Sequence, residues 1–179
     1  MAWPAAVSQW GSTAAERARP YPCDGLVEAP RRSLYRAIDV EAPQAVVFRW
    51  LCQLRVAPYS YDKLDNLGRP SPQELTPGLE RLELGQRVAT IFRLVEFEPG
   101  ESLTILHRGP VFGEVGCTYW AKRVDDERSR IVVKLTWKPA RGRVLGSLER
   151  LLLPPGDLVM MRRQLLNLKG LAEATARIT

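Results

Sequence analysis

Histidine occurs once in these 179 residues, at position 107, and cysteine three times, at 23, 52 and 117. One histidine excludes the imidazole-rich metal sites of hydrolases and the paired-histidine helix motifs. Cysteines 29 and 65 residues apart form neither a disulfide ladder nor a zinc spacing, so reduced, buried thiols are the expectation. No Gly-x-Ser-x-Gly elbow occurs, and no structural metal or cofactor is expected. The most apolar stretch, 151–161, is broken by Pro154, Pro155, Gly156 and Asp157, well short of the roughly 20 apolar residues a membrane-spanning helix needs. The first residues, Met1-Ala2-Trp3-Pro4, carry no basic leader ahead of an apolar block, and a soluble, cytoplasmic protein is the expectation.

What the chain does have is 45% hydrophobic residues, 26% charged residues and a formal charge of +6, enough apolar surface for one core. The positive excess is uneven. Between Arg128 and Lys169 ten Lys/Arg face only Glu149 and Asp157, a distribution suited to weak association with an anionic membrane surface or an acidic partner, or simply to a solvated face. No helix-turn-helix, aromatic RNA-binding strand or zinc finger accompanies the charge, which argues against sequence-specific nucleic-acid binding.

Periodicity orders the elements. Thr13 and Glu16 are spaced as a capping box before a short helix that Arg19-Pro20 ends. Leu34–Val40 suits a strand, and Pro43 opens a helix to about Leu54 whose apolar face is Val47, Trp50, Leu51 and Leu54. From Gln86 the pattern is that of an antiparallel meander, with strands over Arg87–Glu96, Leu103–His107, Gly116–Val124 and Arg130–Lys138. In the last, Ile131, Val133, Leu135 and Trp137 alternate with Val132, Lys134, Thr136 and Lys138, which assigns the first set to an interior and the second to water. A helical segment begins near Val144, is expected to break at Pro154-Pro155-Gly156, and restarts with Asp157 as N-cap. Leu158, Met161, Leu165, Leu168 and Ala172 form the apolar stripe of this last piece.

This order, with several local motifs, resembles the SRPBCC or START-related helix-grip superfamily, in particular its small polyketide cyclase-like branch. The resemblance spans nearly the whole chain. It rests on Trp10-Gly11-Ser12-Thr13 with Arg19-Pro20-Tyr21-Pro22-Cys23-Asp24, on Ile38–Pro43 followed by Val47–Leu51, and on Met161–Leu166. Its most distinctive piece is Tyr59-Ser60-Tyr61-Asp62 with Leu64–Ser71. It implies an α+β helix-grip fold, a curved antiparallel sheet wrapped around the long C-terminal helix with an internal cavity. Residues 1–30 would be an arm packed on a single domain of residues 31–179. It further implies that the cavity takes a hydrophobic or amphipathic small molecule, as a carrier or sensor does. Since one fold hosts many functions, an aromatase/cyclase-like enzyme acting on a polyketide or related carbonyl compound stays open, and so does an interaction module using the basic C-terminal half.

The candidate site residues follow from both arguments. His107 shares the alternation of Leu103 and Ile105 and is the one group suited to acid–base work near neutrality, although a strand-end histidine bonded to a loop fits as well. Tyr59, Tyr61, Asp62 and Asn66 fall where helix-grip proteins border the cavity mouth; equally, Asp62 or Asn66 caps a helix there and the tyrosines clamp a loop. Trp137 is expected to point inward with its face, Trp120 to do so in one of two registers, and Met161 and Leu165 to line the helix side.

Overall fold

The computed structural model describes residues 3–28, 31–110, 112–138 and 143–178, without the side chains of 143–150. Six antiparallel strands lie in the order β1-β6-β5-β4-β3-β2: β1 (Arg32–Val40), β2 (Arg87–Val88), β3 (Phe92–Glu98), β4 (Ser102–Gly109), β5 (Gly113–Arg123) and β6 (Ser129–Lys138). The last strand pairs with the first along its whole length, from Arg32↔Trp137 to Val40↔Ser129. The helices are α1 (Ala5–Ser8), α2 (Ala14–Ala18), α3 (Gln44–Cys52), α4 (Asp62–Asp65) and α5 (Arg143–Ala176). The architecture is α+β and of the helix-grip kind, with α5 and α3 against one face of the curved sheet.

Alternation builds that inner face. Leu34, Ile38 and Val40 of β1, Ile131, Val133, Leu135 and Trp137 of β6, Val115, Cys117, Tyr119 and Ala121 of β5, and Leu103 and Ile105 of β4 share one core with Trp50, Leu51, Leu165, Leu168 and Ala172. Fully burying an Ile, Val or Leu side chain contributes about 1.5–3 kcal/mol each. At the far end α5 is pinned to the β1–α3 corner: Lys169 Nζ donates to the Asp39 carbonyl at 2.7 Å, and Trp50 Nε1 donates to Thr175 Oγ1 at 2.9 Å.

Three expectations are corrected. First, most of the β6 face assigned to water, all but Lys138, is buried, because the chain before β1 lies on it. Val132 and Thr136 are wholly inaccessible and Lys134 nearly so. A 3-10 turn, Pro22–Gly25, places Cys23 over the outer face, where Thr136 Oγ1 donates to the Cys23 carbonyl at 3.0 Å and Cys23 N donates to Thr118 Oγ1 at 3.2 Å. Lys134 is neutralised by Asp24 at 2.6 Å. Gly116 makes room for the turn, since a Cβ there would meet Thr136 Oγ1 at 3.1 Å and Val27 Cγ2 at 3.3 Å. The boundary expected at residue 30 falls on residues 29–30, outside the described residues.

Second, α5 does not restart at Asp157. The helix runs through Pro154 and Pro155, which removes two backbone donors, and Asp157 is turned to β1 instead of capping. Burial of Pro154 and the Asp157 contact hold the segment in place of the missing bonds. Third, the strand expected over Arg87–Glu96 is two strands, split by a turn in which Ala89 and Thr90 have φ of 42° and 67°.

The basic excess is largely spent within the fold. Arg128 pairs with Asp125, Arg130 with Glu16 and Asp39, Lys138 with Glu28 and Lys169 with Glu173. Arg141 and the side chains of Arg143, Glu149 and Arg150 lie outside the described residues. Among the described residues no helix is long and apolar enough to cross a membrane.

Candidate functional site

Arg36 occupies an inward position of β1, between Leu34 and Ile38, and is 1% exposed. Its Nη1 donates to its neighbour's carbonyl, Tyr35 O, at 2.8 Å. Its Nη2 lies 2.6 Å from Oδ2 of Asp157 on α5. Nη2 and Oδ2 form an ion-pair contact off ideal hydrogen-bond alignment, and Arg36 Nε has no hydrogen-bond partner among the described residues. A buried charge pair of this kind stabilises little net of desolvation, which makes its presence informative. Burial raises the Asp157 pKa above the ordinary aspartate value; the Arg36 charge and its contact oppose the rise.

Around this pair the register brings polar groups into an apolar setting. Arg36 pairs with Val133, which pairs with Tyr119, so the arginine and the tyrosine share one row across the sheet. Tyr119 OH donates to Gln164 Oε1 at 2.8 Å and Gln164 Nε2 donates to the Pro58 carbonyl at 2.6 Å, a chain linking β5, α5 and the loop after α3. Burial, then the neighbouring Cys117 and Asp157, push the Tyr119 phenol well above its usual range, so it acts as a neutral donor. Burial likewise pushes Cys117 well above the ordinary thiol value and Cys52 up to about 12, which excludes thiolate chemistry at neutral pH.

One end of the inner face is a row of rings. Trp137 pairs with Val115 and Val115 with His107. Trp137 is wholly buried, and its Nε1 has no hydrogen-bond partner among the described residues. His107 is half-buried, its Nδ1 is 3.2 Å from the Ile91 carbonyl, and its ring meets Phe92 at 5.9 Å and Phe112 at 6.5 Å. Phe112 and Ile91 are both exposed, leaving an apolar rim beside the histidine.

The other expected site residues divide. Met161 lies 3.7 Å from Tyr119 OH through its sulfur, and Leu165 is wholly buried in the same core. Tyr59 is buried edge-on to Trp50 at 6.0 Å, with φ of 56°. Asp62 clamps Ser71, accepting from its N–H at 2.8 Å and its hydroxyl at 2.6 Å. Tyr61 is exposed, and Asn66 donates to the Arg69 carbonyl at 2.7 Å within its own turn. Trp120 takes the register that turns it away from the interior, a correction to its place among the expected site residues. Its register partner is Val132, which puts it on the outer face, where Arg19 stacks on it at 3.6 Å and Glu101 accepts from its Nε1 at 3.1 Å. Sequence reasoning missed Arg36, Asp157, Tyr119 and Gln164. The signal for Arg36 was present, a charged residue in phase with Leu34, Ile38 and Val40.

Among the described residues no group of three or more His, Cys, Asp or Glu is placed to hold a metal ion. What the arrangement offers is hydrogen bonding and charge in an apolar interior.

No protein-family model and no curated protein matches this chain. In three dimensions it is similar to the Zhui aromatase/cyclase from Streptomyces sp. R1128, at 15% identity over 83% of this chain and 96% of that one, with a TM-score of 0.49. It is also similar to a protein from Thermobifida fusca, at 14% identity over 78% and 94% of the two chains and a TM-score of 0.48. Norcoclaurine synthase from Thalictrum flavum is a further likeness, at 12% identity over 83% and 98% and a TM-score of 0.44.

Proposed function

We propose that this protein binds an amphipathic small molecule between the inner face of the sheet and α5. Its polar end would meet Arg36 and Asp157, and its apolar body would lie along Trp137 toward the rim of Phe92, His107 and Phe112. The observation that supports the reading is the buried Arg36–Asp157 pair, whose guanidinium Nε has no partner among the described residues. Buried polar groups are almost always satisfied, and an incomplete set inside an apolar interior is what a ligand completes. Trp137 Nε1 adds a second unpartnered donor on the same face.

Native mass spectrometry of gently purified protein tests this. The reading predicts a noncovalent mass increment in the wild type that is lost when both charges are removed together, as Arg36→Met with Asp157→Leu. Removing both avoids leaving a lone buried charge. The same increment at the same occupancy in that variant would contradict it.

One observation favours a second reading, a cyclase-like enzyme acting on a carbonyl compound. The raised pKa lets Asp157 hold a proton closer to neutrality, beside the neutral Tyr119 phenol, and so exchange a proton with a bound carbonyl compound. Asp157→Asn would then abolish product formation while retaining binding.

A further inference from the structure

On the opposite flank of α5 from the sheet lies a separate cleft of about 370 Å³, between the helix and the segment after α3. We infer that it is a second binding site, for a small monocarboxylate with a short apolar body. The inference goes beyond the interior site and uses none of its groups.

Charge makes the first argument. Arg163 lines the cleft from α5 and is exposed. Among the basic residues between Arg128 and Lys169 whose side chains are described, it alone has neither carboxylate nor ring. The others pair with carboxylates, and Arg162 lies over Trp10 at 5.8 Å. The one carboxylate in the lining, Asp62, is committed to Ser71 through both oxygens. A guanidinium held in a concavity without its own counterion is suited to bidentate capture of a carboxylate.

Tyr59 supplies the second argument. It lines the cleft, is 1% exposed, and its hydroxyl has no partner among the described residues. Burial, with Asp62 nearby, pushes that phenol up to about 12, so it stays a neutral donor. Asn167 is oriented by donating to the Tyr59 carbonyl at 2.8 Å, and Gln73 by donating to Ser71 O at 2.9 Å. Leu166 and Leu171 supply the apolar part of the lining. The Asp62 carboxylate stands in the same lining, which disfavours a dianion and favours a single carboxylate. Gly170 leaves the space open, since a Cβ there would meet nothing within 4 Å.

The test is a titration of ¹⁵N-labelled protein with benzoate at fixed ionic strength, with benzamide and inorganic phosphate as parallel arms. The site predicts saturable amide shifts at Asn167, Gly170, Ser60–Asp62, Ser71 and Gln73. Benzamide should bind about tenfold or more weaker, and phosphate weaker than benzoate. Arg163→Gln, at an exposed position, should weaken benzoate about tenfold, and Tyr59→Phe by about three- to tenfold. Gly170→Leu should fill the cleft and abolish the shifts with the helix intact. Benzoate shifts confined to Arg36, Trp137 and Asp157 would place the ligand in the interior and overturn the second site. Equal affinity for benzamide, tighter phosphate binding, no saturable shift, or indifference to both Arg163→Gln and Gly170→Leu would overturn it as well.

Discussion

Arg36 of β1 and Asp157 of α5 face each other at 2.6 Å across the layer between sheet and helix, and this contact ties the first strand to the middle of the last helix. Breaking a buried pair from one side leaves an uncompensated charge. Arg36→Met alone and Asp157→Leu alone should therefore each destabilise by about 3–5 kcal/mol, while the double replacement should recover most of the loss. Urea denaturation of the three variants measures it, and additive losses would show that the two groups do not interact.

The pair also gives stability a pH dependence. The folded-state pKa of Asp157 is raised above its unfolded value, so between the two the native state binds more protons. Its contribution is fully present below the ordinary aspartate pKa and is lost as pH rises through the raised value. Asp157→Asn should remove that downward slope from a plot of unfolding free energy against pH.

Glu16 carries the opposite sign. Burial works to raise its pKa, but Arg130, at 2.6 Å, and the Thr13 N–H, at 2.8 Å, outweigh it and hold the carboxyl below the usual value of 4.5. Stabilisation by Glu16 is present above that value and is lost as pH falls through the lowered one. Glu16→Gln should cost about 1–3 kcal/mol at neutral pH and flatten the acid limb. Hydrogen exchange should report the loss first in residues 13–24, which Glu16 ties to β6.

Gly11 meets β1 more closely than any side chain allows: a Cβ would sit 2.0 Å from the Ala37 carbonyl oxygen, and φ is 72°. Gly11→Ala should destabilise by more than about 1 kcal/mol and expose the preceding residues to limited proteolysis.

These two outer-face contacts show where the sequence was legible. The inner faces of β1 and β6 follow from alternation, and the capping box at Thr13–Glu16 forms as its spacing predicts. Lys134 and Thr136 read as solvent-facing because the residues that cover them, Asp24 and Cys23, are more than a hundred positions away. Pro154-Pro155 read as a break because local rules weigh backbone bonds and not the Arg36 contact two residues later. The interior site was half legible. Trp137, Met161 and Leu165 follow from period, whereas the opposite orientation of Trp120 depends on a pairing register that one residue of turn length would reverse.

Fluorescence titration with 8-anilinonaphthalene-1-sulfonate, an anionic amphiphile, tests the central claim most directly. The account predicts saturable one-site binding to the folded wild type, with energy transfer from Trp137. Affinity should fall about tenfold or more in the stability-matched Arg36→Met, Asp157→Leu double variant and be unchanged in Arg163→Gln. Equal affinity in wild type and double variant, or no saturable binding to the folded protein, would contradict it.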